Sequence, residues 1–366
     1  MTKKTPFYNV GLEYGAKMEE LFGYYLPLEY STGHEEEYKG TRKRASLCDL
    51  DYMAEFTIKG PEALNFIQKV FTNDFTNLKT GSIRYTAMTN LNGNMLDDGT
   101  MWHLGESEYM FISGNEADYA WLNKYAENFD IELKNITSEW TTLSLQGPLS
   151  REILEKTTDV DLDSIKFYKY AKGKVSGVDC LIARVGFTGE FGYELHFHPK
   201  HADKMWHTIM NAGKEQNVVP CGQLALESLR QEAGFLLVGN EHNDTINPFE
   251  AGIGFTVKLD KKDFNGREAL INIVKEGVEK RLVWFSLPGS IEVKTDDPIL
   301  NYGKEVGKVT SGSLTPSTKH STALGYVGST FTIPGINYTI NSEGKEYNAN
   351  LSLVPLYDPG KTRNKK

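Results

Sequence analysis

Three consecutive stretches divide the chain: Arg267-Glu268-Ala269-Leu270-Ile271-Asn272-Ile273-Val274-Lys275, Glu276-Gly277-Val278-Glu279-Lys280 and Arg281-Leu282-Val283-Trp284-Phe285-Ser286-Leu287. The first reads as a helix, the second as a polar link and the third as a strand. Beyond them, short strand-like runs recur between glycines and prolines, at 305–310, 323–327, 337–340 and 351–354. That spacing predicts a small all-β barrel or sandwich over residues 280–366. Upstream, period-two alternation predicts strands over 54–58, 109–112, 142–145 and 181–184, and helical patterns cover 63–70, 116–129, 150–156 and 201–215. Residues 1–279 therefore read as an α/β or α+β body.

Composition narrows the function. In 366 residues, 40 Lys+Arg stand against 49 Asp+Glu, for a formal charge of −9, which argues against nucleic acid as the partner. No run approaches the roughly 18 uncharged apolar residues of a membrane span. Met1-Thr2-Lys3-Lys4-Thr5-Pro6 lacks the apolar core of a signal peptide, so the expected compartment is the cytoplasm. Cys48, Cys180 and Cys221 are too few and scattered for a disulfide framework or thiolate site. The basic run 361–366 reads as a solvated terminus.

Local chemical motifs are weak. Glu194-Leu195-His196-Phe197-His198, with His201 and His207, holds half of the eight histidines. Pro199 and the following helix separate them and no cysteine or paired carboxylate completes a ligand set, so no metal is expected. Gly186-Phe187-Thr188-Gly189-Glu190-Phe191-Gly192 matches neither a dinucleotide nor a phosphate-loop fingerprint and reads as a tight turn. No nucleophile elbow is present in strand-to-helix context. Asn90-Leu91-Asn92-Gly93-Asn94-Met95-Leu96-Asp97-Asp98-Gly99 carries two adjacent acids, which on a strand point to opposite faces, so at most one enters a given pocket.

In order, many short pieces resemble the T-protein (aminomethyltransferase) family of the glycine cleavage system and its tetrahydrofolate-dependent relatives. They include Thr5-Pro6-Phe7-Tyr8, the stretch from Arg42 through Cys48-Asp49 to Met53, Thr72-Asn73-Asp74, Tyr85-Thr86-Ala87-Met88 and Gly93 to Asp98. Further along come Leu145-Gln146-Gly147-Pro148, Gly186 to Glu190 with Gly192-Tyr193-Glu194, Leu229 to Gly234, Gly239-Asn240-Glu241, Pro248 to Gly252, Asp263 to Leu270, Val309 to Pro316 and Ala323 to Val327. The resemblance spans essentially the whole chain.

It implies an α+β fold: a T-protein-like folate-binding body around a central channel, with two interleaved subdomains in residues 1–279, closed by the C-terminal β-barrel of 280–366. It implies transfer of an aminomethyl group from a lipoyl arm to tetrahydrofolate, releasing ammonia. By the same resemblance the catalytic carboxylate falls on Asp97, and Glu194 is the pterin anchor, whose paired oxygens suit an aminopyrimidine edge. Tyr85, Phe167, Phe187 and Arg230 match pocket-lining, cofactor-binding positions.

Departures bear on the one-carbon donor. Phe187 stands for the family's tyrosine and Leu226 for an arginine, while Asp97 to Trp102, Gly114-Asn115 and Phe235 to Gly239 look more like paralogous demethylases. Those move a methyl from a small S-, O- or N-methylated donor to the same acceptor, which is the alternative activity. A non-catalytic folate-binding scaffold is disfavoured, since Lys262-Asp263-Phe264-Asn265-Gly266-Arg267-Glu268 lacks the cysteine of that group's motif. Ala225-Leu226-Glu227-Ser228-Leu229-Arg230 also resembles the folate domains of flavin-linked demethylating oxidases. The expected partners are thus a small one-carbon donor and either a lipoyl-bearing carrier or a flavoprotein.

Overall fold

The computed structural model describes residues 2–315 and 320–363. Pro316, at the end of one resembling stretch, and the last three tail residues lie outside them. The body carries β1 (Lys3–Lys4), β2 (Lys17–Leu21), β3 (Tyr24–Glu29), β4 (Ser46–Asp49), β5 (Ala54–Lys59), β6 (Ile83–Thr89), β7 (Met95–Gly105), β8 (Glu108–Ser113) and β9 (Glu132–Asn135). It continues with β10 (Thr141–Gln146), β11 (Tyr170–Val175), β12 (Val178–Ala183), β13 (Gly192–Phe197) and β14 (Val219–Cys221). Its helices are α1 (Tyr8–Glu13), α2 (His34–Lys43), α3 (Ala63–Val70), α4 (Asp118–Ala126), α5 (Ser150–Leu154), α6 (Ala202–Ala212), α7 (Gln223–Ala233) and α8 (Arg267–Glu276).

These strands form a small sheet, β1-β3-β2, and two larger ones, β6-β7-β8-β5-β9 and β11-β12-β13-β10-β4-β14. Each larger sheet takes helices on one face. In α3, Ala63, Phe66, Ile67 and Val70 recur at helical spacing and are all fully buried with Phe56, Ile58 and Phe111. In α6, Ala202, Met205, Trp206 and Ile209 do the same against Leu143, Leu145 and Leu195. The sequence patterns over 63–70 and 201–215 have this physical origin.

From Lys280 the chain becomes β15 (Lys280–Pro288), β16 (Pro298–Asn301), β17 (Lys304–Thr315), β18 (His320–Gly328), β19 (Tyr338–Ser342) and β20 (Lys345–Ser352). They close as β15-β18-β17-β16-β19-β20, with Phe285 opposite Leu351 at the seam. Alternation along β15 sets both faces. Val283, Phe285 and Leu287 fill the barrel, whereas Leu282 and Trp284 pack outward against Ala87, Met95, Leu236 and Ile246 of the body. Strand β16 escapes the sequence reading because Asp296-Asp297-Pro298 reads as a turn. It is held by β17 on one side and β19 on the other.

The segment after Ser352 runs back along the body and touches it at a few points, while Leu353, Val354, Lys361 and Thr362 stay exposed. Tyr357 donates its N–H to the Glu232 carbonyl at 2.9 Å, and Arg363 Nε donates to Glu190 Oε2 at 2.9 Å. The basic tail, expected to be a free terminus, is in part a clasp, because a buried carboxylate waits for its guanidinium.

Helix α7 lies between body and barrel and is buried nearly all round: Ala225, Leu226 and Leu229, but also Ser228, Arg230, Gln231 and Glu232. Trp284 Nε1 donates to the Gln231 carbonyl at 3.1 Å and Ser228 Oγ to the Leu314 carbonyl at 3.1 Å, so barrel and helix are joined by directional bonds. The helix ends at Gly234, at φ 78°, where a Cβ would come within 2.7 Å of Pro355 and 2.8 Å of Trp284. Among the described residues no helix is long and apolar enough to cross a membrane.

Gly234→Ala meets both left-handed strain and a clash, with an expected loss of about 2–4 kcal/mol. Gly239→Ala, at φ 86° with open space around it, meets only the strain, about 1–2 kcal/mol. Urea unfolding of the two variants measures the difference, and equal losses would remove the α7–barrel contact as its cause.

Candidate active site

Antiparallel pairing of β6 with β7 puts Asp98 opposite Ala87 and Asp97 opposite Met88, so the neighbouring carboxylates leave the sheet on opposite faces. They meet different surroundings. Tyr85, on the same face as Asp98, donates its hydroxyl to Asp98 Oδ2 at 2.5 Å, and His242 Nε2 lies 2.6 Å from Asp98 Oδ1. The Asp98 side chain keeps 15% of its surface exposed. Asp97 is 1% exposed, and its Oδ2 accepts no hydrogen bond.

Burial, then the Asp118 and Asp98 carboxylates, push the Asp97 carboxyl well above the usual range. Asp118, pinned by Ser113 Oγ at 2.7 Å, is raised by burial as well. Burial and the neighbouring carboxylates thus work against ionisation of Asp97, the acid the resemblance selects, and leave it an enclosed group. The acid facing an accessible surface is Asp98.

Glu194 stands on β13, opposite Ser144 of β10 and Ala183 of β12, and is 8% exposed. Behind it His196 Nε2 lies 3.7 Å from Glu194 Oε2, while His196 Nδ1 meets Thr142 Oγ1 at 2.9 Å. Trp102 packs edge-on to the same imidazole, with ring centroids 4.9 Å apart. The histidine near Glu194 is therefore a backing residue, and the other three of its group do not converge with it. Among the described residues, the one cluster with metal-ligand spacing is Asp97, Asp98 and His242.

Tyr168 connects the two walls. Its hydroxyl is raised first by burial and then by the charges of Glu194 and Asp98, so it stands within electrostatic reach of both. Phe167, the sequence candidate beside it, packs edge-on to the Tyr168 ring at 4.6 Å. Only a residue-by-residue register separates these two neighbours, since Tyr168 adopts φ 59° and local alternation fails there. Phe187 packs tilted against Phe235, ring centroids 5.4 Å apart, and with the cluster of Cys48, Leu226 and Leu229. Leu226 completes an apolar wall, with no charge to present.

Arg230 is not on this surface. Its side chain is wholly buried and all five N–H donors are taken. Nε binds Glu227 Oε2 at 2.9 Å; one terminal nitrogen binds Glu241 Oε2 at 2.5 Å and the Phe235 carbonyl at 3.1 Å; the other binds Ser311 Oγ at 2.9 Å and Glu227. A guanidinium so saturated has nothing left for a ligand. Sequence reasoning carried Asp98 only as one of an adjacent pair from which the resemblance selects Asp97, and it missed Tyr168 and His242, the last one position beyond the quoted Gly239-Asn240-Glu241.

Comparison with known proteins bears on the whole chain. The GCVT N-terminal domain model matches residues 7–261, and the glycine cleavage T-protein C-terminal barrel domain model matches residues 280–358. A Halothermothrix orenii aminomethyltransferase is 38% identical over 97% of this chain and 99% of its own length. One from Moorella thermoacetica is 39% identical over 97% and 98%. The crystal structure of glycine cleavage system aminomethyltransferase T from Bartonella henselae superposes with a TM-score of 0.92 at 27% identity, covering 98% of this chain and 99% of that one.

Arg230→Met leaves Glu241 buried without its cationic partner and should cost about 3–5 kcal/mol, read by chemical denaturation. Wild-type stability in that variant would refute the structural clamp. The raised Asp97 carboxyl stabilises the fold fully below its unfolded value of about 3.9, and this contribution is lost as pH rises through the higher folded value. Asp97→Asn keeps a donor toward Asp118 without titrating. Its stability relative to wild type should therefore rise as the pH is raised above the unfolded value of about 3.9, and a pH-independent difference would refute the raised carboxyl.

Proposed function

The chain belongs to the glycine cleavage T-protein family and is a one-carbon transferase of the aminomethyltransferase kind, and from that premise we propose that it passes an aminomethyl group from a lipoyl-bearing carrier protein to tetrahydrofolate. The observation that carries this reading is Asp98, a partly exposed carboxylate held by the Tyr85 hydroxyl at 2.5 Å and His242 at 2.6 Å, with Glu194 near enough that both charges act on the Tyr168 hydroxyl. The division of labour follows from their surroundings.

The donor set suits a reduced pterin. Among the described residues the nearest cationic or imidazole nitrogen to Glu194 is His196 Nε2 at 3.7 Å, beyond hydrogen-bond distance, and its paired oxygens suit the two N–H groups of an aminopyrimidine edge. Tyr168 and Phe187 offer ring faces beside it. Tetrahydrofolate, when bound, supplies the nucleophilic nitrogens that accept the carbon. In the transfer the carbon–sulfur bond to the arm and the carbon–nitrogen bond to departing ammonia break, and two bonds to folate nitrogens form.

The carbon becomes cationic as a leaving group departs. A fixed carboxylate in a partly desolvated pocket stabilises that charge more than water does, because it needs no reorganisation at the moment of reaction. We assign this role to Asp98, with Tyr85 holding one of its oxygens, and assign Asp97 to the enclosed pair behind it. We propose that the boundary between catalytic body and barrel falls after Glu279, a reading supported by the start of β15 at Lys280. Leu226 and Phe187 suggested a demethylase, but relatives at this identity over nearly full length are aminomethyltransferases, and that alternative is not carried forward. A flavoprotein partner is likewise dropped in favour of the lipoyl carrier.

Asp98→Asn should lower turnover by about 100-fold or more while folate affinity stays within a few-fold, and Asp97→Asn should stay close to wild type. Glu194→Ala should weaken folate binding itself. Turnover is read as methylene-tetrahydrofolate formed from aminomethyl-lipoyl carrier, and affinity by calorimetry. If Asp98→Asn turns over normally and Asp97→Asn does not, the assignment of the two acids is reversed.

A further inference from the structure

We propose that His242 is a positioning residue for Asp98, and that the β-barrel takes part in catalysis by fixing where His242 stands. This rests on the reading of Asp98 as the carboxylate facing the transferred carbon. The argument begins with how many donors that carboxylate has. Its Oδ2 receives the Tyr85 hydroxyl at 2.5 Å and its Oδ1 lies 2.6 Å from His242 Nε2. An ionised carboxylate only accepts, so Nε2 bears the proton in this contact. Two donors from different elements, one per oxygen, fix both the rotamer and the plane of the group, leaving its remaining lone pairs directed at the open side.

Satisfaction of its own polar atoms does not explain the imidazole. It is fully buried, and Nδ1 has no partner. A buried ring left half-satisfied costs stability, and an apolar side chain of similar size would remove that cost. What its burial achieves is the short contact with Asp98 at 2.6 Å, with Asp97 Oδ1 farther off at 4.0 Å from the same nitrogen.

The loop carrying His242 is held from the barrel side through its neighbour. Glu241 is fully buried and accepts from Arg230 at 2.5 Å, from Ser311 Oγ at 2.5 Å and Thr310 Oγ1 at 2.9 Å of β17, and from the Leu237 N–H at 3.0 Å. Tyr326 of β18 donates its hydroxyl to the Glu241 carbonyl at 2.6 Å. Gly239 N–H to the His242 carbonyl, at 2.9 Å, closes the loop. A chain of rigid contacts thus runs from two barrel strands through Glu241 and His242 to one carboxylate oxygen, as a supported site requires.

The test uses the full-length protein with tetrahydrofolate and aminomethyl-lipoyl carrier, comparing His242→Leu, His242→Asn and His242→Gln. Glutamine places an amide N–H where Nε2 stands; asparagine is too short to reach. His242→Leu and His242→Asn should lose roughly 10–100-fold in kcat, with KM for tetrahydrofolate and calorimetric folate affinity within about twofold, and His242→Gln should recover most of kcat. Wild-type kcat in folded His242→Leu or His242→Asn, alongside inactive Asp98→Asn, would overturn the proposal and leave the role of Asp98 standing. Equal losses in all three variants, or losses that track thermal stability, would also overturn it, because then a donor at that point is not what matters. Normal turnover in Asp98→Asn would instead remove the reading beneath it.

Discussion

One guanidinium with five acceptors holds this molecule together. Arg230 emerges from α7 into a space without water, where each unmade hydrogen bond would be costly, and every donor is met: two carboxylates, one carbonyl and a barrel serine. Such an arrangement adds little stability compared with a well-packed apolar core, yet it tolerates no alternative geometry, because displacing any partner strands a buried charge. On the opposite side of α7, Arg42 makes a second clamp, to Glu190 at 3.2 Å, Glu232 at 2.9 Å and the Thr188 carbonyl at 2.7 Å, with the Tyr357 ring stacked on it at 3.6 Å. Body, helix, barrel and tail are thereby set in one register.

The site depends on that register. Glu194 and Asp98 stand on different sheets, separated by 96 positions in the chain (194 − 98), and neither sheet alone brings them into one field. Within the β7 sheet, the pleat divides two adjacent aspartates into unlike groups: one enclosed, its ionisation opposed by burial and neighbouring carboxylates, the other presented with two donors. Environment, more than residue type, separates their chemistry.

Several features were legible from residues alone. Helix α3 follows from periodicity because it buries one regular face, strands β5, β8 and β10 were legible in their residue alternation even though β8 and β10 are buried almost throughout, and the change of character at 276–280 marks the first barrel strand. Other features were hidden for physical reasons. Strand β16 opens on a proline and is made by its two neighbours. Helix α7 shows no clean amphipathic stripe because its polar face is buried too. Arg230 lies in a resembling stretch and carries a ligand-like charge, so only a count of its partners reveals a clamp. Tyr168 and Phe167 are adjacent with their rings edge-on to each other, and the left-handed backbone at 168 breaks the alternation by which sequence could assign them to opposite sides.

The amino-acid sequence by itself determined the α+β body, the β-barrel and the family, because these rest on local periodicity, turn residues and the order of short motifs. It also determined Glu194 and the aspartate pair as candidates, and that only one of that pair could enter a given pocket. Which one, and what holds it, was decided by tertiary structure: the β6–β7 pairing turns Asp98 toward Tyr85, and a loop 144 residues away delivers His242. Side-chain direction on a strand follows from pairing partners, and hydrogen-bond saturation follows from neighbours distant in sequence. Neither quantity exists until the chain has closed on itself.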